Sequence, residues 1–383
     1  MIEGPRGSRA EDLPGVIGLV DAAMRQGSDQ TLVTDYPLVY APENLPNVQV
    51  VLVDGVPVAT APVLPKRVTG EGFSFGTGVI SPTATDPAHQ HRGYGSACVR
   101  GCIERMIALE LPVSVLWTIV ATFPFYEGVG YQAVARFGAS YRLGSGDAGR
   151  FAAWNGPIVS LASGPDRLEG VRALHEARDG VRRTPEEAAA LFRLPKMTTW
   201  LAPRDGAVSG YLVESRASNK PGILEGLGDA AAVEGLVRHV LARLAPAETI
   251  DLHVGFAPDT LADVAATRLD GVEPTPFAGN MMVRLNDPTA FLRSVRPWLA
   301  RQGGLISDAV SIEVADTGEL VSIEPRPFGM AIGSRQLDRH VRLTARELTS
   351  VLFGAHPERP VDIPPEIAWL PPFRIPIPIL DRS

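Results

Sequence analysis

The spacing of apolar residues predicts alternating helices and strands in the first third of the chain. Apolar positions at helical spacing predict a helix over residues 12–24, and apolar runs predict strands over 49–53 and 56–63. Asp54 and Gly55 stand between these two strands, and an Asp-Gly dipeptide favours a two-residue hairpin turn. This part of the chain is therefore expected to contain a helix followed by a β-hairpin.

A strand, a glycine-containing loop, a helix and a second strand follow. The apolar pattern predicts the two strands over 78–85 and 113–120 and the helix over 96–109. Pro112 and Pro124 bound the second strand, whose continuous apolar run is typical of a buried strand. The predicted order is strand, loop, helix, strand.

The same order recurs downstream without the glycine loop. A strand is predicted over 210–214, a helix over 231–244 and a second strand over 250–254. The Gly-Leu-Gly-Asp run at 226–229 lies between strand and helix, but it lacks a basic residue and a run of free amides long enough for a pyrophosphate. We interpret it as a turn and a helix cap.

The last quarter of the chain mixes helices and strands. A helix is predicted over 288–302 and strands over 310–314 and 319–323. Thr344 is predicted to cap another helix, because Glu347 three residues later completes a capping box.

Length and changes in sequence character set the expected domains. With 383 residues, of which 45% are hydrophobic, the chain can bury more than one core. The character changes after 144–146 and again near 286–288. We therefore predict domains over 1–145, 146–285 and 286–383.

Composition excludes several classes of function. The formal net charge of -7, with 21% charged residues, argues against a nucleic-acid partner and suits a cationic small molecule better. No stretch reaches the roughly 18 apolar residues of a membrane span, and no secretory signal is present, so we expect a cytoplasmic protein without a membrane partner. Cys98 and Cys102 are interpreted as two small buried side chains, not as a disulfide or metal site.

The loop before the helix at 96–109 has the pattern of a phosphate-binding turn. It fits Q/R-x-x-G-x-G/A, in which amides face an anion, glycines remove side chains from its approach, and the helix adds its positive end. The predicted pyrophosphate site consists of Gln90, His91, Arg92, Gly93, Tyr94, Gly95, Ser96 and Ala97. Taken alone, such a glycine pair is also a common turn. His89 and His91 are interpreted as solvated loop contacts, and neither is assigned to catalysis.

A tyrosine motif lies about one strand-helix-strand unit downstream, at 125–131. Together with the loop it resembles the GNAT acetyltransferases, in which a pyrophosphate loop and a downstream tyrosine flank the cofactor thioester. The resemblance implies acetyl-CoA as co-substrate, and a splayed strand whose backbone binds the pantetheine arm at Thr83, Ala84 and Thr85. Tyr126, a neutral phenol with a pKa of ~10, is then expected to donate a proton to the leaving thiolate. The alternative is a core tyrosine packed beneath the loop.

Over its whole length the chain resembles a narrower group, the enhanced intracellular survival (Eis) acetyltransferases. The resemblance rests on residues 86–93, on Tyr126 with Gly130 and Tyr131, and on 282–288. It implies an α+β fold with tandem GNAT-like domains, mixed sheets flanked by helices, of which the second has no cofactor. A sterol-carrier-protein-like domain with a C-terminal strap follows. It also implies a homo-oligomer, a hexamer by family resemblance.

Five positions depart from the pattern of that group. Ala121 and Thr122 replace a serine-glutamate pair, and Gly128 replaces an arginine. Gln90 and His91 stand where two arginines are usual. The change at Ala121 and Thr122 weakens the inference that the substrate pocket is the same. The change at Gln90 and His91 predicts fewer ionic contacts to phosphate.

The resemblance also assigns a catalytic base. In Eis enzymes the terminal carboxylate reaches the active site, and here that role falls to the α-carboxylate of Ser383, with Asp381 as an alternative. A carboxylate in a partly dry cleft can take a proton directly or through water. The proline-rich tail from residue 357 is equally well explained as an extended strap packed across the domain interface.

Two main hypotheses for function result. The first is an N-acetyltransferase that transfers acetyl directly from acetyl-CoA to an amine, of an aminoglycoside-like or polyamine substrate, with peptide amines and amino sugars left open. Asp29 and Asp35 are the candidates for an acidic substrate pocket. The alternative is a binding protein for an apolar or lipid-like ligand through residues 286–383, and a third hypothesis is a scaffold for oligomerisation.

Overall fold

The computed structural model describes residues 1–25, 31–217, 221–277, 279–302, 308–327 and 329–382. The chain divides into two compact units, each with its own core. The first contains Met1–Arg136 and Gly279–Ile375, and the second contains Phe137–Ala278 and Pro376–Arg382.

Residues 1–136 begin the first unit. Their strands are β1 (Ile2–Gly7), β2 (Val48–Val53), β3 (Val56–Gly70), β4 (Phe73–Ile80), β5 (Ala84–Thr85), β6 (Val113–Thr118) and β7 (Gln132–Ala133). Their helices are α1 (Leu13–Met24), α2 (Leu32–Asp35), α3 (Tyr94–Ala108) and α4 (Phe123–Glu127). The predicted hairpin is confirmed, with Asp54 and Gly55 at φ 51° and 82° between β2 and β3.

Residues 137–278 form most of the second unit. Their strands are β8 (Ala139–Gly144), β9 (Val159–Ser160), β10 (Gly180–Arg182), β11 (Met197–Arg204), β12 (Ala207–Ser215), β13 (Gly222–Gly228), β14 (Thr249–Val254) and β15 (Thr275–Pro276). Their helices are α5 (Leu168–Glu176), α6 (Pro185–Leu191), α7 (Ala230–Leu241) and α8 (Thr260–Arg268).

Residues 279–375 return to the first unit. Their elements are β16 (Asn280–Leu285), α9 (Pro288–Ser294), α10 (Arg296–Arg301), β17 (Val310–Val314), β18 (Glu319–Arg326), β19 (Gly329–Gly333), β20 (His340–Leu343) and α11 (Ala345–Phe353). The predicted capping box of α11 is confirmed: Thr344 Oγ1 accepts the Glu347 amide at 3.2 Å, and Glu347 Oε2 accepts the Thr344 amide at 2.7 Å.

The main sheet of the first unit has the strand order β1-β2-β3-β4-β6-β16-β7, with β5 paired to β3. Strands β4 and β6 are parallel, and α3 connects them. One face of α3 packs on the sheet through Cys98 and Cys102, and burial raises the pKa of the Cys98 thiol to about 12. The two cysteines are therefore buried core side chains, as expected. Strands β17 to β20 form a separate four-stranded sheet in the order β19-β18-β17-β20.

Two predicted domain boundaries differ from the observed pairing. Strand β16, assigned from sequence to the domain 146–285, lies between β6 and β7 in the first sheet. Strand β8, assigned to the domain 1–145, pairs with β14 in the second unit. Apolar patterns show that a segment is a strand but not which strand it pairs with, because pairing partners are distant in sequence.

Two predicted elements are interrupted by proline. The strand expected over 78–85 is observed as β4, a break at Ser81-Pro82, and the short β5. Proline has no amide hydrogen to donate to a sheet. The helix expected over 288–302 is observed as α9 and α10, which separate at Val295 just before Pro297. Proline has no amide hydrogen to donate to the carbonyl four residues earlier, but it is tolerated in the first turn of a helix, where Pro297 stands.

The sheet of the second unit has the order β15-β8-β14-β13-β12-β11-β9. The predicted strand-helix-strand recurrence is observed as β12 and β13, then α7, then β14, which runs parallel to β13. The predicted cap is confirmed, because the Asp229 side chain accepts the Ala231 amide at 3.0 Å, whereas the residues before it, expected as a turn, are the end of strand β13.

Among the described residues, no helix combines the length and the apolar character that crossing a membrane requires.

Candidate active site

The loop between β5 and α3 is shaped by a capped turn and two left-handed residues. Asp86 caps the turn by accepting the Ala88 amide at 2.7 Å. His91 and Gly93 then have φ of 59° and 80°, and α3 begins at Tyr94. A left-handed conformation favours glycine, which explains Gly93 as the residue directly before the helix.

The amides at the start of α3 divide into free and bonded groups. The first helical bond recorded there runs from the Ala97 amide to the Gly93 carbonyl at 2.9 Å. The amides of Tyr94, Gly95 and Ser96 precede it and have no partner four residues back in the helix. An anion at this helix start would therefore meet three amides, and Ala97 would contribute none.

Gly95 has a different role from the one its motif suggests. A Cβ at this position would lie 2.7 Å from Thr85 Oγ1 and 3.5 Å from the Phe125 ring. The sequence pattern predicts that both glycines leave space for a phosphate, because they have no side chain. The structure shows that Gly95 allows α3 to pack against β5 and α4, whereas a Cβ on Gly93 would meet no atom within 4 Å.

Strands β4 and β6 separate beside this loop. Their pairing runs from Thr77 with Val113 to Val79 with Val115. Beyond that point the first strand bends through Pro82 into β5, which pairs with β3 instead. The separation predicted at 83–85 therefore begins a few residues earlier, and it leaves a gap in the sheet in front of α3.

A cleft of about 600 Å³ occupies this gap. It is lined by Thr83, Ala84, Thr85, His89, Gln90, His91, Gly93, Tyr94, Gly95, Ser96, Thr122, Phe125 and Tyr126. The fold thus brings Tyr126 together with most of the predicted cofactor residues. Of the others, Arg92 is exposed outside the lining, Ala97 packs on the core, and Ser383 lies outside the described residues.

Three lining residues were not assigned from the sequence. Phe125 and Thr122 lie one and four positions before the predicted tyrosine, and His89 directly precedes the predicted loop. Their proximity to the motifs was the only signal available. Whether such neighbours face the cleft depends on the turn of α4 and of the loop.

Tyr126 is a partly buried phenol on α4. Its ring contacts those of Phe125 at 4.8 Å and Tyr131 at 6.1 Å between centroids. Burial raises its pKa, while the nearby Thr83 hydroxyl acts in the opposite direction by stabilising the phenolate. The phenol is therefore protonated at neutral pH and can donate a proton.

Tyr131, in contrast, is a core residue. It is fully buried, and its hydroxyl hydrogen-bonds the Ser114 hydroxyl. Burial raises its pKa further above the ordinary range. Its hydroxyl is already engaged inside the sheet.

Within the described part of the chain, His89 Nδ1 is a buried polar atom of the cleft without a hydrogen-bond partner, and Thr83 Oγ1 has none besides its interaction with the Tyr126 phenol. Leaving such atoms unpaired costs about 1–3 kcal/mol each. His89 Nδ1 is therefore available to a ligand, in a lining that combines these polar atoms with the apolar side chains of Ala84 and Phe125.

The carboxylate beside Tyr126 and the one described candidate for an acidic pocket are each paired with an arginine. Glu127, next to Tyr126, accepts from Arg359 at 2.7 Å. Asp35 pairs with Arg25 at 2.6 Å, and Asp29 lies outside the described residues. Within the described part of the chain, no aspartate or glutamate lines the cleft.

Asp381, the alternative base, is part of a buried ion pair in the second unit. Its carboxylate accepts from Arg183 Nε at 3.0 Å and Nη2 at 2.7 Å, and both side chains are fully buried. Its lone pairs are engaged by the guanidinium, so the structure does not favour it as a base.

Comparison with known proteins agrees with the geometry of the first unit. Residues 5–134 match the family described as acetyltransferase (GNAT) domain. No curated protein matches the chain.

The chain is also similar in fold to solved structures. It matches a GCN5-related N-acetyltransferase from Anabaena variabilis with a TM-score of 0.70 and 14% identity, over 92% of this chain and 90% of that one. A GCN5-related N-acetyltransferase from Kribbella flavida gives 0.66 and 17%, over 92% and 89%. Eis1 from Mycobacterium abscessus gives 0.63 and 20%, over 92% and 89%. The predicted enzyme class is therefore confirmed: residues 5–134 are an acetyltransferase (GNAT) domain.

Proposed function

We propose that this protein is an acetyl-CoA-dependent N-acetyltransferase that transfers the acetyl group directly to an amine. The observation that carries the proposal is the position of Tyr126. A protonated, partly buried phenol lines the same cleft as the start of α3 with its unpaired amides. The reaction needs a proton donor for the leaving thiolate and a site that holds the pyrophosphate of the co-substrate, and this cleft offers candidates for both.

The residues present fit acetyl-CoA. The amides of Tyr94, Gly95 and Ser96, together with the positive end of α3, suit a pyrophosphate. We assign Gln90, His91 and Gly93 to the same loop, and Thr83, Ala84 and Thr85 to the pantetheine arm. When bound, acetyl-CoA supplies the acetyl group as a thioester.

The proton balance assigns two tasks to the protein. As the amine nitrogen bonds to the acetyl carbon and the carbon–sulfur bond breaks, Tyr126 gives its proton to sulfur. The amine must lose one proton, and the proposed acceptor is the α-carboxylate of Ser383. That proton restores the phenol, so the enzyme ends each cycle unchanged.

The acceptor is proposed to be a small molecule with a primary amine. An aminoglycoside-like substrate or a polyamine is the starting hypothesis. The described lining offers no carboxylate to attract a polycation, so neutral and singly charged amines belong in the same screen. Kanamycin, spermidine, glucosamine and a peptide N-terminus form a suitable panel.

Two measurements test the proposal. Calorimetry with acetyl-CoA should show one site for each chain, and thiol release should depend on both acetyl-CoA and an amine. Absence of acetyl-CoA binding would overturn the proposal.

We propose that the second unit is GNAT-like without cofactor. Asp229 supports this, because its carboxylate accepts the Ala231 amide at the start of α7, where a phosphate would otherwise bind. Calorimetry should therefore show one acetyl-CoA site and not two. We also propose that residues 286–383 form a sterol-carrier-protein-like domain and that the protein assembles as a hexamer. Light scattering measures the mass of the assembly and tests the hexamer.

A further inference from the structure

The helix that carries Tyr126 is too short to hold its own position. Helix α4 has five residues, Phe123–Glu127, and Pro124 stands in its first turn. Isolated helices of fewer than ~12 residues are marginal in water. Contacts from outside α4 must therefore determine where the phenol of Tyr126 lies.

At its first residue, α4 is held by a segment far along the chain. The Phe123 ring is fully buried and meets the His356 ring edge-on at 5.3 Å between centroids. The Arg359 guanidinium lies over the same ring, 5.4 Å from its centroid. Packing and a cation–π contact fix this end of the helix.

At its last residue, α4 is held by the same segment through charge. Glu127 Oε1 accepts from Arg359 Nε at 2.7 Å, across 232 positions of sequence. Arg346 on α11 adds a second contact at 3.4 Å to the same oxygen. The Glu127 side chain is 15% exposed, so solvent screens this pair less than a surface ion pair.

The segment that supplies Arg359 is itself anchored to the sheet. His356 is fully buried, and burial lowers its pKa, so the ring is neutral. Its Nδ1 accepts the Glu358 amide at 3.1 Å, which leaves Nε2–H to donate to Asn280 Oδ1 on β16 at 3.0 Å. Arg136 donates to the same Asn280 oxygen at 3.0 Å. These hydrogen bonds hold the backbone segment that carries Arg359 in place.

We infer that Arg359 and Glu127 are positioning residues for Tyr126. Arg359 contacts both ends of α4, so it sets the rotation of the helix and with it the direction of the phenol. This inference rests on the proposed role of Tyr126 as proton donor. It gives Arg359, which is distant in sequence from the cleft, an indirect part in catalysis through the position of the phenol.

Tyrosine-selective ¹³C spectra of the full chain test the geometry without any acceptor. The chain has seven tyrosines, and Tyr126→Phe assigns the signal of interest. Arg359→Gln and Glu127→Gln should each shift the Tyr126 signal and leave Tyr141 and Tyr211 unchanged. Arg359→Lys, which keeps the charge, should restore part of the shift.

Kinetics test the consequence. With spermidine or kanamycin, whichever is acetylated faster, Arg359→Gln should lower kcat by about 10- to 100-fold. Acetyl-CoA affinity should change less than twofold. In a Tyr126→Phe background the same substitution should have almost no further effect, because it acts through the phenol. A merely structural role would lower activity equally in both backgrounds.

A matched control is Arg142→Gln, which breaks an arginine-carboxylate pair of 2.8 Å in the second unit. It should leave the spectrum of Tyr126 and kcat unchanged. If Arg359→Gln does not fold, Glu127→Gln removes the same ion pair with a smaller change.

The outcomes separate this inference from the proposed function. An unshifted Tyr126 signal in both Arg359→Gln and Glu127→Gln overturns the inference alone. Normal turnover of Tyr126→Phe overturns the proposed acid and, with it, the positioning role. A shifted signal with a non-additive loss of kcat supports both.

Discussion

Gly95 and Thr85 approach so closely that a Cβ on Gly95 would lie 2.7 Å from the Thr85 hydroxyl oxygen. One residue is in the first turn of α3, and the other is in the short strand β5. This contact sets the distance between the start of α3, the proposed anion site, and the separated strand. The width of the cleft therefore depends on a glycine.

Replacement of Gly95 by alanine should destabilise the protein although alanine favours helices. The new methyl group must displace Thr85, and overpacking of this kind costs about 1–3 kcal/mol. Urea unfolding measures the change, and calorimetry should show weaker acetyl-CoA binding. Gly18→Ala is the matched control: it is also in a helix, but a Cβ there meets no atom within 4 Å. That variant should be stabilised by about 0.5–1 kcal/mol, and equal effects at both positions would contradict the prediction.

Tyr126→Phe should lower kcat without weakening acetyl-CoA binding. Loss of a general acid costs about 10²- to 10⁴-fold in rate. Steady-state kinetics and calorimetry on the same preparation separate the two quantities. Tyr131→Phe is the control, because it leaves Ser114 without its partner and should cost about 1–3 kcal/mol of stability with kcat retained. An unchanged kcat in Tyr126→Phe would exclude this phenol as the acid.

The alkaline decline of kcat should occur above the ordinary tyrosine range. Only the protonated phenol can donate, and burial raises the pKa of Tyr126, so the active form persists past pH ~10. Thr83→Val removes the hydroxyl that stabilises the phenolate and should move the decline to still higher pH. A pH–rate profile from pH 7 to about 11.5 checks both. A decline of kcat centred below pH ~9 that disappears in Tyr126→Phe would show that the pKa of Tyr126 is lowered, and it would contradict the prediction.

Asp259 in the second unit should make stability depend on pH near neutrality. Burial raises the pKa of its carboxyl to about 7, above the ordinary value of 3.8. The folded state then binds more protons than the unfolded state between these values, so stability is greatest below pH ~4 for this group and falls as pH rises to 7.

Asp259→Asn tests this dependence. The substitution can retain the cap on the Ala262 amide and should stabilise the protein at pH 8 by about 1–2 kcal/mol, with little effect at pH 4. Equal unfolding midpoints for wild type and Asp259→Asn across pH 4–8 would contradict the assignment.

Asp381→Ala should destabilise the second unit. It leaves Arg183 buried without one of its carboxylates, and breaking a buried pair costs about 3–5 kcal/mol. Arg142→Ala, at a solvent-exposed arginine whose ion pair is screened by water, should destabilise the protein much less. Thermal unfolding gives both values. If Asp381→Ala instead lowered kcat with stability unchanged, that result would contradict the structural role and support Asp381 as the catalytic base.

Local features were available from the sequence because neighbouring residues determine them. The hairpin at Asp54 and Gly55 and the capping box at Thr344 depend on residues within a few positions. The loop before α3 and the tyrosine motif were found in the same way. Short-range hydrogen bonds and backbone preferences dominate such features.

Only the tertiary structure decided how these pieces combine. The position of β16 between β6 and β7, and the contact of Arg359 with Glu127, join segments that no spacing rule connects. Gly95 shows the same division at a single residue. The sequence shows that Gly95 belongs to a glycine-containing loop. That its missing side chain makes room for Thr85 is known only from the packing of β5 against α3. Such contacts follow from which distant surfaces bury each other, and the apolar pattern of either segment alone is compatible with several partners.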